Sequence, residues 1–212
     1  MWRIGDLAID GRAVLGPMSG YTCESYRRFM KGFGIALSYT EMVSDSAVLH
    51  NRRSDEYILF DECPITGLQL FGSDPEVMAE AATKCVRMNP GIDLLDINMG
   101  CPVTKVVKDG AGSAMMDDPS NCGAVVKAVK RATGMPVTAK IRLGWDRGSM
   151  NFREVISELE AADVDAITVH ARTREERYSG TPHYDLIEGL GREMSVPLMV
   201  SGNMFSLEDA VR

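Results

Sequence analysis

The sequence predicts an α/β chain of the (β/α)8 TIM-barrel type that carries seven of the eight strands. Three observations predict it. Short apolar runs rich in Val, Ile and Leu alternate with stretches of helical period, the pattern of βα units around a parallel sheet. Seven such units follow one another, which favours a barrel over an open doubly wound sheet. Polar side chains also gather at the C-terminal ends of several strands, the end where barrels build their sites. A complete barrel of this kind takes about 250 residues. This chain has 212, and Arg212 falls inside the helix expected after strand seven. The expectation is one domain, residues 1–212, with the barrel truncated after strand 7 and no further helical domain.

Taken in order, Arg3–Arg12, with Asp10-Gly11 inside it, reads as a small hairpin or lid. Strands are expected at Ala13–Pro17, Ile35–Glu41, Ile65–Phe71, Asp93–Asn98, Val137–Arg142, Ala166–His170 and Pro197–Ser201. Helices are expected at Cys23–Gly32, Pro75–Met88, Pro119–Thr133, Phe152–Ala162 and Asp185–Glu193. Asp74-Pro75 and Asp118-Pro119 each place a side-chain acceptor before a proline at the first helical position, a sound helix start.

Composition narrows the function. Hydrophobic residues make up 45% of the chain and charged residues 25%, with a mean hydropathy of -0.09. No run approaches the ~20 apolar residues of a membrane-spanning helix, and the first residues lack a secretory signal's apolar core. A net charge of -7 argues against a general nucleic-acid-binding surface, so any such role must rest on a local basic patch. Five widely spaced cysteines without a C-x-x-C pair suit a reducing cytoplasm and exclude the usual structural zinc spacings.

Residues two apart on a strand share a face. On that rule Thr138, Lys140 and Arg142 point together, as do Thr168, His170 and Arg172, and Asp96 with Asn98; Gln69 ends its own strand. One Lys, Gln or Asn at a strand end is ordinarily just solvated, and a lone barrel histidine is more often structural than catalytic. Four strands delivering polar groups to one rim favour an enzyme site. Asp96-Ile97-Asn98-Met99-Gly100-Cys101-Pro102 is the most informative stretch: Gly100 permits a sharp turn, Pro102 fixes the chain direction, and Cys101 is presented at the rim. A cysteine there serves as nucleophile or as proton donor, and spacing alone does not choose. Cys23, Cys85 and Cys122 read as packing residues. Lys108–Met115 is glycine-rich but does not lead a strand into a helix, so it reads as a mobile loop over the rim rather than a dinucleotide fingerprint.

These stretches resemble the tRNA-dihydrouridine synthase family from Val14 to the C-terminus. The resemblance rests on Gly16-Pro17-Met18-Ser19-Gly20, Gln69-Leu70-Phe71-Gly72 and Asn98-Met99-Gly100-Cys101-Pro102. Gly110–Met116, Ala139-Lys140-Ile141-Arg142 and Val169-His170-Ala171-Arg172-Thr173 extend it. It implies an FMN-containing barrel that reduces the C5–C6 double bond of uridines in tRNA, with NADPH or NADH as electron donor. By the same resemblance Cys101 would protonate C5 as a neutral thiol while flavin N5 gives hydride to C6. Gly16, Pro17 and Met18 would pack against the flavin and Gln69 would bond its pyrimidine edge. Lys140 would place positive charge near N1–C2=O, and His170 would hold the flavin or its phosphate. Asn98, Arg142 and Arg172 would contact the uridine. Ser201-Gly202-Asn203 stands where the family usually has asparagine–glycine–aspartate before a phosphate-binding turn. Arg52, Arg53, Lys105, Lys108, Arg172, Arg174 and Arg177 would meet tRNA phosphates. Two further readings stay open: an FMN barrel acting on a free pyrimidine, like dihydroorotate dehydrogenase, and a non-catalytic flavin- or RNA-binding remnant. No membrane association and no metal are expected.

Overall fold

The computed structural model describes residues 1–50 and 65–211; Arg52, Arg53 and Cys63 lie outside the described residues. An antiparallel hairpin opens the chain, β1 (Trp2–Ile4) and β2 (Leu7–Ile9). Its turn is Gly5-Asp6, with Gly5 at φ +54°, and not the expected Asp10-Gly11. The reason is hydrophobic register: a turn at Gly5 puts Trp2, Ile4, Leu7 and Ile9 on one face, and Ile4 and Ile9 are fully buried there.

Seven parallel strands follow, each hydrogen-bonded to the next in sequence order. They are β3 (Val14–Leu15), β4 (Leu37–Ser44), β5 (Thr66–Phe71), β6 (Leu94–Met99), β7 (Val137–Ile141), β8 (Ala166–His170) and β9 (Leu198–Ser201). Helices α1 (Glu24–Lys31), α2 (Asp45–His50), α3 (Pro75–Met88), α4 (Thr104–Val107), α5 (Pro119–Thr133), α6 (Phe152–Ala161), α7 (Leu190–Glu193) and α8 (Leu207–Val211) connect them. This is the expected barrel wall with seven strands. The proline starts work as read: Asp74 accepts from the backbone N–H of Glu76 and Val77, and Asp118 from that of Asn121. Helices α2 and α4 are not among the expected elements, and the one expected at Asp185–Glu193 is broken. The helix α2 continues directly out of β4, its first N–H groups turning onto Asp45 and Ser44. The helix expected at Asp185–Glu193 breaks into a 3₁₀ turn (Tyr184–Leu186) and α7, because Gly189 stands at φ +77° between them.

The pleat sorts side chains into two layers. Leu68, Leu70, Leu95, Ile97, Ala139, Ile141, Ile167 and Val169 face the helices and pack with α3, α5 and α6 residues such as Met78, Val125 and Leu159, all fully buried. On the concave face, the lower half is apolar: Leu37, Tyr39, Leu94, Ala166 and Met199 pack on Ile4 and Ile9 of the hairpin. The hairpin is therefore a plug at the N-terminal end of the sheet rather than a lid, and each of its two isoleucines contributes about 1.5–3 kcal/mol by burial. The upper half of the concave face is polar. Register sets its layers: Met42, Gln69, Asp96 and Thr138 are cross-strand neighbours, then Asn98, Lys140 and Thr168 above them, with His170 beside Ser201.

Candidate active site

The polar layer opens into a cavity of about 410 Å³ at the C-terminal ends of the strands. Pro17 and Met18 border it on the loop after β3, Gln69 lies in the C-terminal half of β5, and Asn98 is the penultimate residue of β6, just before the Cys101 turn. Lys140 and Arg142 come from β7 and its end, and His170 from β8. Eight of the residues singled out from the sequence thus meet in one place.

The turn that presents Cys101 is held from both sides. The Asn98 side-chain oxygen accepts from the backbone N–H of Gly100 (3.1 Å) and of Cys101 (2.9 Å). The Cys101 carbonyl accepts from the backbone N–H of Ser113 (3.1 Å) and from its hydroxyl (3.0 Å). The glycine-rich segment is therefore a correction to the sequence reading. It forms a 3₁₀ turn, Gly112–Asp117, with Gly112, Ser113, Met115 and Met116 buried, and it braces Cys101 from behind. Only glycine suits position 112, at φ +61°, because a Cβ there would come within 2.8 Å of the Cys101 carbonyl oxygen.

Below Cys101 lies a chain of buried polar groups. Asn98 Nδ2 donates to Gln69 Oε1 (2.9 Å), and Gln69 Nε2 donates to Asp96 Oδ2 (2.6 Å). Thr138 donates to the other Asp96 oxygen (2.6 Å) and pairs with the Tyr39 hydroxyl. Burial raises the Asp96 carboxyl to about 6, against the hydrogen bonds from Thr138 and Gln69 and the charge of Lys140. Burial, reinforced by Arg142, lowers Lys140 to about 8, so it remains mainly charged at neutral pH. His170 is pushed down to about 3 by burial and by the neighbouring Lys140, Arg142 and Arg172, so it is neutral. Arg172 Nη1 lies 3.3 Å from His170 Nε2. A guanidinium only donates, so Nε2 accepts and the ring proton sits on Nδ1. The site as a whole is cationic although the chain is acidic.

The two arginines act differently from the expectation of direct contact. Arg142 borders the cavity, yet Nε donates to the Gly100 carbonyl (2.7 Å) and Nη1 to the carbonyls of Thr173 and Arg177 (both 2.9 Å). It ties the Cys101 turn to the loop after β8. Arg172 is buried behind His170 and does not border the cavity; it donates to the carbonyls of Ser179 and Gly180 and to the Asn203 side chain. Gly16, Ser201, Gly202 and Asn203 also lie off the cavity lining; Asn203 is joined to it through Arg172 and His170, and Ser201 is the cross-strand neighbour of His170. Lys105, Lys108 and Arg177 are exposed, whereas Arg174 is partly buried over the Trp145 ring.

Sequence reasoning missed Met42, which a bulge in β4 between Tyr39 and Met42 brings to the lining. It also missed Tyr178, whose ring lies 5.6 Å from the Arg142 guanidinium and edge-on to His170. An aromatic residue inside the polar stretch Arg172–Gly180 was the available signal. Glu176 was missed too: it accepts from Thr173, His183 and Arg147 and so shapes the loop that carries Tyr178.

A model of the dihydrouridine synthase (Dus) family matches residues 14–212. The chain is 39% identical over 212 residues to a Synechocystis protein named "Probable tRNA-dihydrouridine synthase 1", covering 99% of this chain and 59% of that one. It is 37% identical over 210 residues to tRNA-dihydrouridine synthase B of Pseudomonas aeruginosa, covering 98% and 63%. The chain thus spans about three fifths of the length of these relatives. In fold it is similar to an old yellow enzyme homologue from Zymomonas mobilis, with a TM-score of 0.61 at 10% identity, over 99% of this chain and 82% of that one.

Proposed function

This chain belongs to the dihydrouridine synthase family, and from that premise we propose that its rim cavity binds FMN and reduces the C5–C6 double bond of a uridine in tRNA, with NADPH or NADH as electron donor. The observation that carries the reading is the placement of Cys101 on a doubly anchored turn, in one cavity with Gln69, Lys140 and His170.

The residues present fit a flavin mononucleotide. Pro17 and Met18 offer an apolar border for a flat ring system, and Gln69 offers both a donor and an acceptor to its pyrimidine edge. Lys140 would stand by the electron-rich end of that ring, where positive charge favours the reduced form. The Ser201 hydroxyl is buried without a hydrogen-bond partner among the described residues, the condition a phosphate oxygen would relieve. When bound, FMN would supply a hydride to uracil C6.

The chain's own groups do the rest. Cys101 donates its thiol proton to C5, so hydride and proton together saturate the double bond. The thiolate left behind lies in the field of Lys140 and Arg142 until solvent returns its proton. Asn98 and Arg142 keep the Cys101 turn from moving during that transfer. His170 is neutral with its proton on Nδ1, so it borders the cavity without adding charge. The uridine must leave its stack to reach the cavity; exposed Lys105, Lys108 and Arg177 supply the local positive charge for the flanking phosphates, whereas buried Arg172 holds the loop rather than the RNA.

The test is dihydrouridine formation in unmodified tRNA by the FMN-loaded chain with NADPH, read as a mass gain of two hydrogens. Cys101→Ala should retain flavin binding and flavin reduction and lose the product. An unchanged yield in that variant would overturn the acid assignment.

A further inference from the structure

We propose that Asp96 is a positioning residue: it terminates a one-way hydrogen-bond chain that starts at the Cys101 backbone and fixes which atoms Gln69 shows to the cavity. The direction of the chain follows from donor chemistry alone. Backbone N–H groups only donate, so the bonds from Gly100 and Cys101 require oxygen at that end of the Asn98 side chain. The Asn98 nitrogen then faces Gln69 and requires its oxygen (2.9 Å). That leaves the Gln69 nitrogen pointing at Asp96, which must accept (2.6 Å). An ionised carboxylate satisfies this with either oxygen, and its second oxygen is free to accept from Thr138 (2.6 Å).

The consequence reaches the cavity. With one bond spent inside the protein on each end of its carboxamide, Gln69 keeps one N–H and one oxygen lone pair. That pair complements a ring edge carrying adjacent C=O and N–H groups, such as the pyrimidine edge of a flavin. Without Asp96 the Gln69 carboxamide is held only at its oxygen, by Asn98, and its nitrogen is left a buried donor without that acceptor, so the amide swings off the orientation the ring edge needs. Asp96 itself does not border the cavity and is 1% exposed, so it acts through Gln69. The proposal takes its ligand from the flavin reading above, but the orientation of Gln69 is measurable without flavin.

Five proteins test it: wild type, Asp96→Leu, Asp96→Asn, Gln69→Ala, and the Asp96→Leu/Gln69→Ala double variant that closes a cycle. Asp96→Leu should weaken FMN binding about tenfold, read by flavin fluorescence quenching. Asp96→Asn should restore most of the affinity, because its oxygen still faces Gln69 while its nitrogen donates to Thr138, whose hydroxyl has the Leu95 carbonyl at 3.5 Å as an alternative acceptor. Adding Asp96→Leu to Gln69→Ala should cost less than twofold more. An equal loss in both backgrounds would overturn the proposal, since it would mean that Asp96 supports the fold and not the amide. Should Asp96→Leu not fold, side-chain amide NMR of the flavin-free wild type decides: one Gln69 Nε2 proton should be shifted downfield and protected from exchange. Both Nε2 protons at ordinary free-carboxamide shifts and exchanging rapidly would refute it. A wild-type chain that takes up no FMN but shows the protected amide would refute the flavin reading and leave the role of Asp96 standing.

Discussion

Replacing Gly112 by alanine tests whether the buried 3₁₀ turn sets the position of Cys101. Two costs add at this site. The backbone stands at φ +61°, where an L-residue pays about 1–2 kcal/mol. The new methyl would also lie 2.8 Å from the Cys101 carbonyl oxygen, 2.9 Å from a Val106 methyl and 3.1 Å from the Cys101 Cβ. Overpacking of that kind costs about 1–3 kcal/mol and is relieved only by moving a neighbour. Gly134→Ala separates the two costs, because Gly134 has nearly the same φ, +66°, with nothing within 4 Å of its Cβ. Gly134→Ala should lower Tm by about 2–8 °C through strain alone and leave chemistry unchanged. Gly112→Ala should lower Tm further and displace the Cys101 turn; displacements near 1 Å at a reacting group cost about a hundredfold in rate. Differential scanning fluorimetry gives the stabilities, and alkylation of Cys101 followed by peptide mass mapping gives the thiol's accessibility without any turnover. Equal alkylation rates in Gly112→Ala and Gly134→Ala would refute the brace.

Glu176 should give the fold an acid limit: burial opposes its charge, but bonds from His183, Thr173 and Arg147 bring its carboxyl from 4.5 to about 2. Its contribution is present above about pH 4.5 and is lost as pH falls toward 2, so Glu176→Gln should flatten the stability curve in that window by about 2 kcal/mol, the Arg147 partner being largely solvated; a slope unchanged in chemical denaturation would count against it. His170, held near 3 against an ordinary 6.5, should destabilise the protein as pH falls from 6.5 toward 3, and His170→Asn should remove that slope. Lys140, lowered to about 8, should make FMN binding weaken as pH rises through 8. Lys140→Met should bind weakly at every pH, and a variant that kept the pH dependence would show that another group titrates.

Much of the wall was legible in the residues because the local signals agreed. Strand β8 and helices α3 and α5 fall on the expected residues, where β-branched runs or an Asp-Pro start coincide with the burial pattern. What stayed hidden was decided by contacts distant in sequence. The hairpin turn moved to Gly5 because Ile4 and Ile9 needed a common face against Leu94 and Ala166. The rim side chains were found by alternation, but alternation does not say where a long side chain ends. Arg142 and Arg172 sit on the expected face and spend their donors on backbone carbonyls of the loop after β8. Asp96 was visible as a polar strand residue, while its role as acceptor depends on Gln69 and Thr138 from two neighbouring strands. The bulge that exposes Met42 has no glycine or proline to announce it.

The most direct measurement is the visible absorption spectrum of the purified chain titrated with FMN, repeated on Gln69→Ala and Lys140→Ala. The expected result is uptake of one FMN per chain with shifted flavin bands, weakened at least tenfold in each variant. Failure of the wild type to bind FMN, or binding that both substitutions leave untouched, would contradict the placement of the flavin in the rim cavity.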